Sequence, residues 1–263
     1  MIYVGVAARN NADTVGLLLW KIRQVFSHST REYQLLVADD GSSDETPDVL
    51  QRYQRVLPLT IVSAPSGGPA ATYAALLQEA AQRSDRHKRD TVVLIPADFR
   101  VSPEGIPELL RRIESGADLA VAETPTDGLP FTWRLLRRLT PWLLRPGIRL
   151  GGIRDVLSGC LAVRLIAART VLREREGKPL LETAGLAARA ELVARLAGAA
   201  RQTTGVPLPC LPRGIPANGG ALAVALQFRR LGRQIRLTPP APRPPRSPAR
   251  ETAPTPAEQT RAS

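Results

Sequence analysis

Long apolar runs are missing from this chain of 263 residues. No stretch approaches the roughly 20 consecutive apolar residues that a spanning helix needs, which argues against a membrane span. Nor do residues 1–8 resemble a secretory leader; they read as a strand, and Arg9 interrupts the run. Cysteine is nearly absent. Cys160 and Cys210 carry no metal-ligand spacing and read as reduced, buried thiols. Aromatic residues make up 4%, too few for a base-stacking surface, and no recognition motif appears, so nucleic acid is not the expected partner. His28 and His87 are the histidines, and both are expected at the surface. Lysine is confined to Lys21, Lys88 and Lys178, which leaves arginine to carry almost all the positive charge. Internal repeats are lacking as well.

What is present is a net charge of +12. That balance favours anionic partners: nucleotide diphosphates, lipid phosphates or an anionic membrane surface. The length suffices for one α/β domain with its own core plus appendages. The expected location is cytoplasmic, peripheral on the inner face of the membrane.

Strand-like runs recur at 2–7, 35–38, 59–63, 92–95 and 119–122, with helix-like patterns at 13–26, 44–56, 69–81 and 103–113 between them. Strands alternating with helices predict a parallel, doubly wound sheet. Asp13, Ser43 and Ser102 are the expected helix caps, the last followed by Pro103.

The most informative stretch, 34–46, reads Gln-Leu-Leu-Val-Ala-Asp-Asp-Gly-Ser-Ser-Asp-Glu-Thr. A strand ends there in two carboxylates, Asp39 and Asp40, and a turn leads into a helix. In an open α/β sheet, ligands bind beyond the carboxyl ends of the strands. Carboxylates at that point can accept from a base or ribose, or hold a cation on a phosphate.

This stretch resembles the nucleotide-binding segment of the family 2 glycosyltransferases, Val-Val-Asp-Asp-Gly-Ser-x-Asp-x-Thr. The resemblance runs from Ile2 to about Arg164, fades toward Leu237, and looks closest to the dolichyl-phosphate mannosyltransferase and polyprenyl-phosphate branch. It implies a GT-A fold, Rossmann-like, with a mostly parallel central sheet. It also implies transfer of a hexose from a nucleotide diphosphate sugar, with inversion, to an acceptor that in this branch is a lipid phosphate. Asp39 and Asp40 would then recognise base and ribose. Residues 6–11 stand where the family has Pro-x-Tyr-Asn-Glu, with Asn10 in register and Ala8 beside it. Gly67, Gly68 and Ala70 match a glycine-rich turn that opens a helix, where backbone can approach phosphate closely.

The family's Asp-Ala-Asp-Leu-Gln-Asp-Pro-Pro-Glu, whose Asp-x-Asp pair holds a divalent metal, is here Pro96-Ala97-Asp98-Phe99-Arg100-Val101-Ser102-Pro103-Glu104. The second aspartate survives as Asp98, with Ala97 lining the donor, and the first is Pro96. A hard cation wants several oxygen ligands. The expectation is therefore a weakly bound Mg²⁺ or Mn²⁺, with Arg100 contacting the diphosphate and partly replacing the metal's charge. The family's Ser-Gly-x-Arg-x-Tyr-Arg becomes Ser158-Gly159-Cys160-Leu161-Ala162-Val163-Arg164. Ser158 and Gly159 are expected at the substrate, and Arg164 at the acceptor phosphate. Pro96, Leu161 and Thr124 replace three polar groups expected near phosphate. They keep open a second reading: a degenerate, non-catalytic domain that binds nucleotide or acts as a scaffold.

Domain limits are expected at 1–210 for the catalytic unit, 211–237 for a C-terminal amphipathic helix and 238–263 for a disordered Pro/Arg-rich tail. Residues 131–145 are also amphipathic. At about 100° per residue, Phe131, Leu135, Leu136, Leu139, Trp142 and Leu143 share one side, and Arg134, Arg137, Arg138 and Arg145 the other. Trp133 falls outside the apolar arc, and Pro141 is expected to split the segment. Such a segment either packs its apolar face on its own domain or, with tryptophan beside arginine, lies as an interfacial helix at anionic headgroups. Beyond it, a helix is expected near 182–196 and an extended piece near 205–208.

Overall fold

β1 (Ile2–Ala8) and β4 (Thr91–Pro96) are apolar and buried along nearly their whole length. Continuous apolar strands of this kind belong in the middle of a sheet covered on both faces. They pair with each other in parallel, Ile2 opposite Thr91 and Ala7 opposite Pro96. β2 (Tyr33–Asp39) and β3 (Leu59–Val62) extend the sheet on one side. β5 (Leu119–Glu123), β6 (Leu161–Arg164) and β7 (Thr203–Pro207) extend it on the other. The strand order is β3-β2-β1-β4-β6-β5-β7, parallel except for β6, which is antiparallel to both neighbours. This is a computed structural model, and it describes residues 1–27, 29–64, 67–125, 129–144, 150–209 and 220–234. His28, Arg145, Cys210 and the expected tail at 238–263 lie outside the described residues.

Helices cover both faces. α1 (Ala12–Ser27) presents Val15, Leu18, Leu19, Ile22 and Phe26 at helical spacing to one of two apolar layers. α2 (Thr46–Gln54) and α4 (Ile106–Glu114), the latter preceded by a 3-10 turn at Pro103–Gly105, complete that layer. On the opposite face lie α3 (Pro69–Arg83), α5 (Phe131–Leu144), α6 (Leu165–Glu174), α7 (Gly185–Ala199) and α8 (Gly220–Gln234).

Several expectations are corrected by packing. The Asp44 carboxylate accepts from the Thr46 amide at 3.0 Å, so α2 starts at Thr46 and Ser43 is not its cap. Asp13 lies in the first turn of α1. Pro141 does not split its segment: α5 is continuous, and the Thr140 hydroxyl just before it donates to the Leu136 carbonyl at 2.8 Å. His87 is half-buried, its ring nitrogens within 3.0 Å of the Ala81 carbonyl and 2.9 Å of Arg169.

The largest difference lies on α5. Trp133 is 1% exposed and Arg137 is buried, whereas Phe131, Leu135, Leu139 and Trp142 face out, Trp142 at 62%. Arg137 turns inward because Asp155 waits there: its Nη2 sits 2.5 Å from Asp155 Oδ2, and its Nη1 donates to the Thr124 carbonyl at 2.9 Å. α8 packs along α5 so closely that a Cβ on Gly232 would lie 2.9 Å from the carbonyl oxygens of Leu143 and Leu144.

Candidate active site

β1 has β2 on one side and β4 on the other, and the connections run away from it in opposite directions. Such a switch point opens a crevice beyond the carboxyl ends of the strands. A cleft of about 170 Å³ lies there. Ala8 and Arg9 from the end of β1, Asp40 from the end of β2, and Pro96, Ala97 and Asp98 from the end of β4 line it. Pro69, Thr72 and Tyr73 from α3 and Arg189 from α7 close it.

The two loops that leave β1 and β4 both turn through the left-handed region, at Asn10 (φ 52°) and Phe99 (φ 57°). Asparagine tolerates this conformation; a phenylalanine there is strained. Asn10 is held by its neighbours, its amide donating to the Ser42 hydroxyl at 2.8 Å and its side-chain oxygen accepting from the Ser43 amide at 2.9 Å. Strain of this kind persists where surrounding structure over-determines it, as at ligand sites.

The paired carboxylates diverge in role. Asp40 is buried. Its Oδ1 accepts from the Gly68 amide at 2.8 Å and the Gly67 amide at 3.3 Å, and its Oδ2 faces Arg9 Nη1 at 3.2 Å. Asp39 is half-buried beside the cleft and accepts from the hydroxyl and the amide of Ser42. The glycine turn was expected to offer its amides to phosphate, yet both amides point at Asp40. Gly68, at φ 76°, caps α3 in a conformation that glycine adopts without cost. Ala70 follows in the first turn, half-buried.

On the far wall, Asp98 Oδ1 accepts from the Arg100 amide at 3.0 Å, and Oδ2 lies 3.2 Å from Arg100 Nη2. Arg100 is 7% exposed, and its buried Nε has no hydrogen-bond partner. Burial pushes its guanidinium pKa down; Asp98 opposes that shift and the charge of Arg189 adds to it. Tyr73 is also buried, which pushes its phenol pKa up. Gly159, at φ 72°, sits beneath Arg189 and Tyr73: a Cβ there would lie 3.1 Å from Arg189 Nε and from the Tyr73 hydroxyl. Ser158 is buried next to it.

Arg164 is a correction. β6 runs antiparallel, so its last residue pairs with Thr91, the first residue of β4, at the end of the sheet away from the cleft. Its guanidinium is spent there on the carbonyls of Ala117, Lys88 and Ile113 and on Asp118. It staples the lower edge of the sheet and cannot reach a substrate in the cleft. Sequence reasoning also missed Arg9, Asn11, Thr72, Tyr73 and Arg189. Arg9 and Asn11 flank the one family residue in register, which was a signal; Arg189 arrives from a helix about 90 residues beyond Asp98 and had none.

The residues present do not fit a divalent cation well. Of the family's two aspartates only Asp98 remains, and Arg100 already neutralises it. Among the described residues no group of three or more His, Cys, Asp or Glu side chains could hold a metal ion.

Cleft and topology together define an α/β domain of the GT-A type. The model of the family "Glycosyl transferase family 2" matches residues 3–170, and the chain belongs to that family. Among curated proteins, it is 28% identical over 141 residues to the dolichol-phosphate mannosyltransferase of Pyrococcus furiosus, a match covering 50% of this chain and 38% of that protein. It is 25% identical over 118 residues to the undecaprenyl-phosphate 4-deoxy-4-formamido-L-arabinose transferase of Photorhabdus laumondii, covering 45% of this chain and 35% of the relative. The matched part thus spans little more than a third of either relative's length. Among solved structures, glucosyl-3-phosphoglycerate synthase from Mycobacterium tuberculosis, in complex with Mn²⁺, uridine diphosphate and phosphoglyceric acid, shares the fold at a TM-score of 0.60. That likeness covers 88% of this chain and 75% of the other at 21% identity.

Proposed function

We propose that this chain transfers a hexose from a nucleotide diphosphate sugar to a polyprenyl phosphate, inverting the anomeric centre, at an anionic membrane surface. One observation carries the lipid part of this reading. The outward face of α5 is an apolar stripe, Phe131, Leu135, Leu139 and Trp142, flanked by the exposed Arg134 and Arg138. Next to it α8 exposes Leu222 and Leu226, with Arg229, Arg230 and Arg233 further along. Between the helices runs an apolar groove of about 310 Å³. Apolar side chains rimmed by arginine suit the boundary between acyl chains and anionic headgroups. No described helix is long and apolar enough to cross a membrane.

The same helix is tied to the catalytic region. Arg137, on its inner face, holds Asp155, whose Oδ1 accepts from the Leu157 amide at 2.8 Å in the segment that leads to Gly159. A lipid surface on the outside of α5 thus lies one ion pair from the loop under the cleft.

The chemistry asks little of general bases. A phosphate monoester has a second pKa of about 6 and is largely ionised near neutrality. An acceptor phosphate oxygen attacks the anomeric carbon in line; the new C–O bond forms as the bond to the nucleotide diphosphate breaks, and the diphosphate leaves with the electron pair. Asp39 and Asp40 would position the nucleoside.

The test is transfer of labelled hexose from UDP- and GDP-sugars to a polyprenyl phosphate in anionic vesicles. Label is expected in the organic phase. Transfer to a soluble acceptor alone would overturn the lipid assignment. Nucleotide binding without transfer to any acceptor would favour the non-catalytic reading.

A further inference from the structure

The charges around the cleft pair off unevenly. Arg9 faces Asp40 at 3.2 Å, and Arg100 faces Asp98 at 3.2 Å. Arg189 also lines the cleft, and among the described residues no carboxylate lies within ion-pair distance of it. It donates a hydrogen bond from Nη1 to the Leu157 carbonyl at 3.1 Å. A guanidinium presents five donors in a fixed fork, and this one engages a single donor.

We infer that Arg189, backed by the Asp98–Arg100 pair, binds the diphosphate of the donor in place of a divalent metal ion. The inference rests on the reading that this cleft takes a nucleotide diphosphate sugar. Three observations converge on it. Arg189 is held in place: it packs closely over Gly159, where a Cβ would lie 3.1 Å from its Nε, and Leu157 fixes one end of the fork. Arg100 is buried behind Asp98 and does not itself line the cleft, so its charge acts on the site through the carboxylate that does. The two guanidinium groups also act on each other, since Arg189 pushes the Arg100 pKa further down. An anion at Arg189 relieves that repulsion, whereas a divalent cation beside Asp98 would add to it. Guanidinium groups match phosphate oxygens two at a time, which a point charge does not. The proline at 96 then follows: where arginine supplies the charge, a second aspartate would only consume it.

The experiment is calorimetric titration of the full chain with UDP, GDP, ADP and CDP, each in EDTA and in Mn²⁺, against the matching monophosphates. One diphosphate is expected to bind in EDTA within about threefold of its affinity in Mn²⁺. Arg189→Ala should weaken that diphosphate by about tenfold or more and its monophosphate far less, with Arg189→Lys recovering part of the loss. Thermal melts of each variant report whether the fold survives. Diphosphate binding that appears only with Mn²⁺ overturns the inference and leaves the proposed function standing. Equal weakening of mono- and diphosphate by a folded Arg189→Ala protein removes Arg189 from the diphosphate. Failure of every nucleotide, with and without Mn²⁺, sinks the donor reading itself.

Discussion

On the β1–β2 wall of the cleft, Asp40, Asn10, Ser42 and the Gly67–Gly68 amides answer one another. On the β4–α7 wall, Asp98 is neutralised by Arg100, and Arg189 is left without a carboxylate among the described residues. The first wall spends its polar groups on its own geometry. A buried group so satisfied is rigid, and it fixes where the strand ends lie. The second wall keeps hydrogen-bonding capacity in reserve on Arg189, which lines the cleft and engages one donor, at the Leu157 carbonyl. The difference separates scaffold from reception: one wall shapes the cleft, and the other waits for an anion.

The comparison breaks most violently where the second wall is anchored. Arg137 and Asp155 are both buried and lie 2.5 Å apart. Arg137→Ala would leave the Asp155 charge uncompensated, which typically costs about 3–5 kcal/mol. Urea denaturation should show a loss of that order. A loss under about 1 kcal/mol would mean that the pair is dispensable and that α5 is not tied to the site through it.

Asp40→Ala strikes the scaffold wall. Two glycine amides and Arg9 lose their acceptor, and hydrogen bonds to charged groups are worth roughly 1.5–3 kcal/mol. Stability should fall by about that much, and nucleotide affinity by at least about tenfold because the wall no longer holds its shape. Asp39→Ala releases only Ser42, so its stability loss should be the smaller of the two. If neither variant changes nucleotide affinity, these carboxylates do not serve the nucleoside.

The two walls were unequally legible in the sequence. Asp39 to Thr46 form a strand end, turn and helix start within a few residues, so local spacing alone brings them together. The five expected parallel strands are present for the same reason: short apolar runs bounded by turns leave little choice. β6 defeated the reading of Arg164 because strand direction is a property of the whole sheet. α6, between β6 and α7, was not anticipated at all. Arg137 and Trp133 defeated the reading of α5, because a helical projection sends arginine outward without regard to Asp155, 18 residues away in the chain. Arg189 lacked any local pattern. Its place in the cleft comes from α7 packing against α3, and only the folded chain sets it beside Tyr73.

The outer face of α5 offers a test of whether the second wall works beside a lipid. Each basic residue near an anionic surface contributes about 1 kcal/mol, screened within a Debye length. Arg134→Glu with Arg138→Glu should therefore weaken binding to anionic vesicles by about 2 kcal/mol or more at low salt. Trp142→Ala should weaken it further, and raised salt should reproduce the charge effect. Both arginines are exposed, so the fold should survive. An unaltered protein that ignores anionic vesicles at low salt would remove the lipid surface, and a soluble acceptor would move ahead.

The smallest effect probes the charge of Arg189 from the inside. Burial raises the Tyr73 phenol above its ordinary value of 10.0, and Arg189 pulls it partly back. In the folded chain the phenol therefore stays neutral where the unfolded chain has begun to ionise. The stability that Tyr73 contributes is fully present below pH 10 and is lost as pH rises from there toward its folded pKa. One such group changes stability by about 1.4 kcal/mol per pH unit in that window. Tyr3 and Tyr33 are raised as well, so the useful quantity is the difference between the unaltered chain and Tyr73→Phe. Urea midpoints should fall less for Tyr73→Phe than for the unaltered chain between pH 9.5 and about 11. With Arg189→Ala the alkaline loss should extend to higher pH, because the guanidinium no longer favours the phenolate. If Arg189→Ala leaves the alkaline limb unchanged, the Arg189 charge does not reach Tyr73, and the reserve of positive charge on that wall is smaller than the geometry implies.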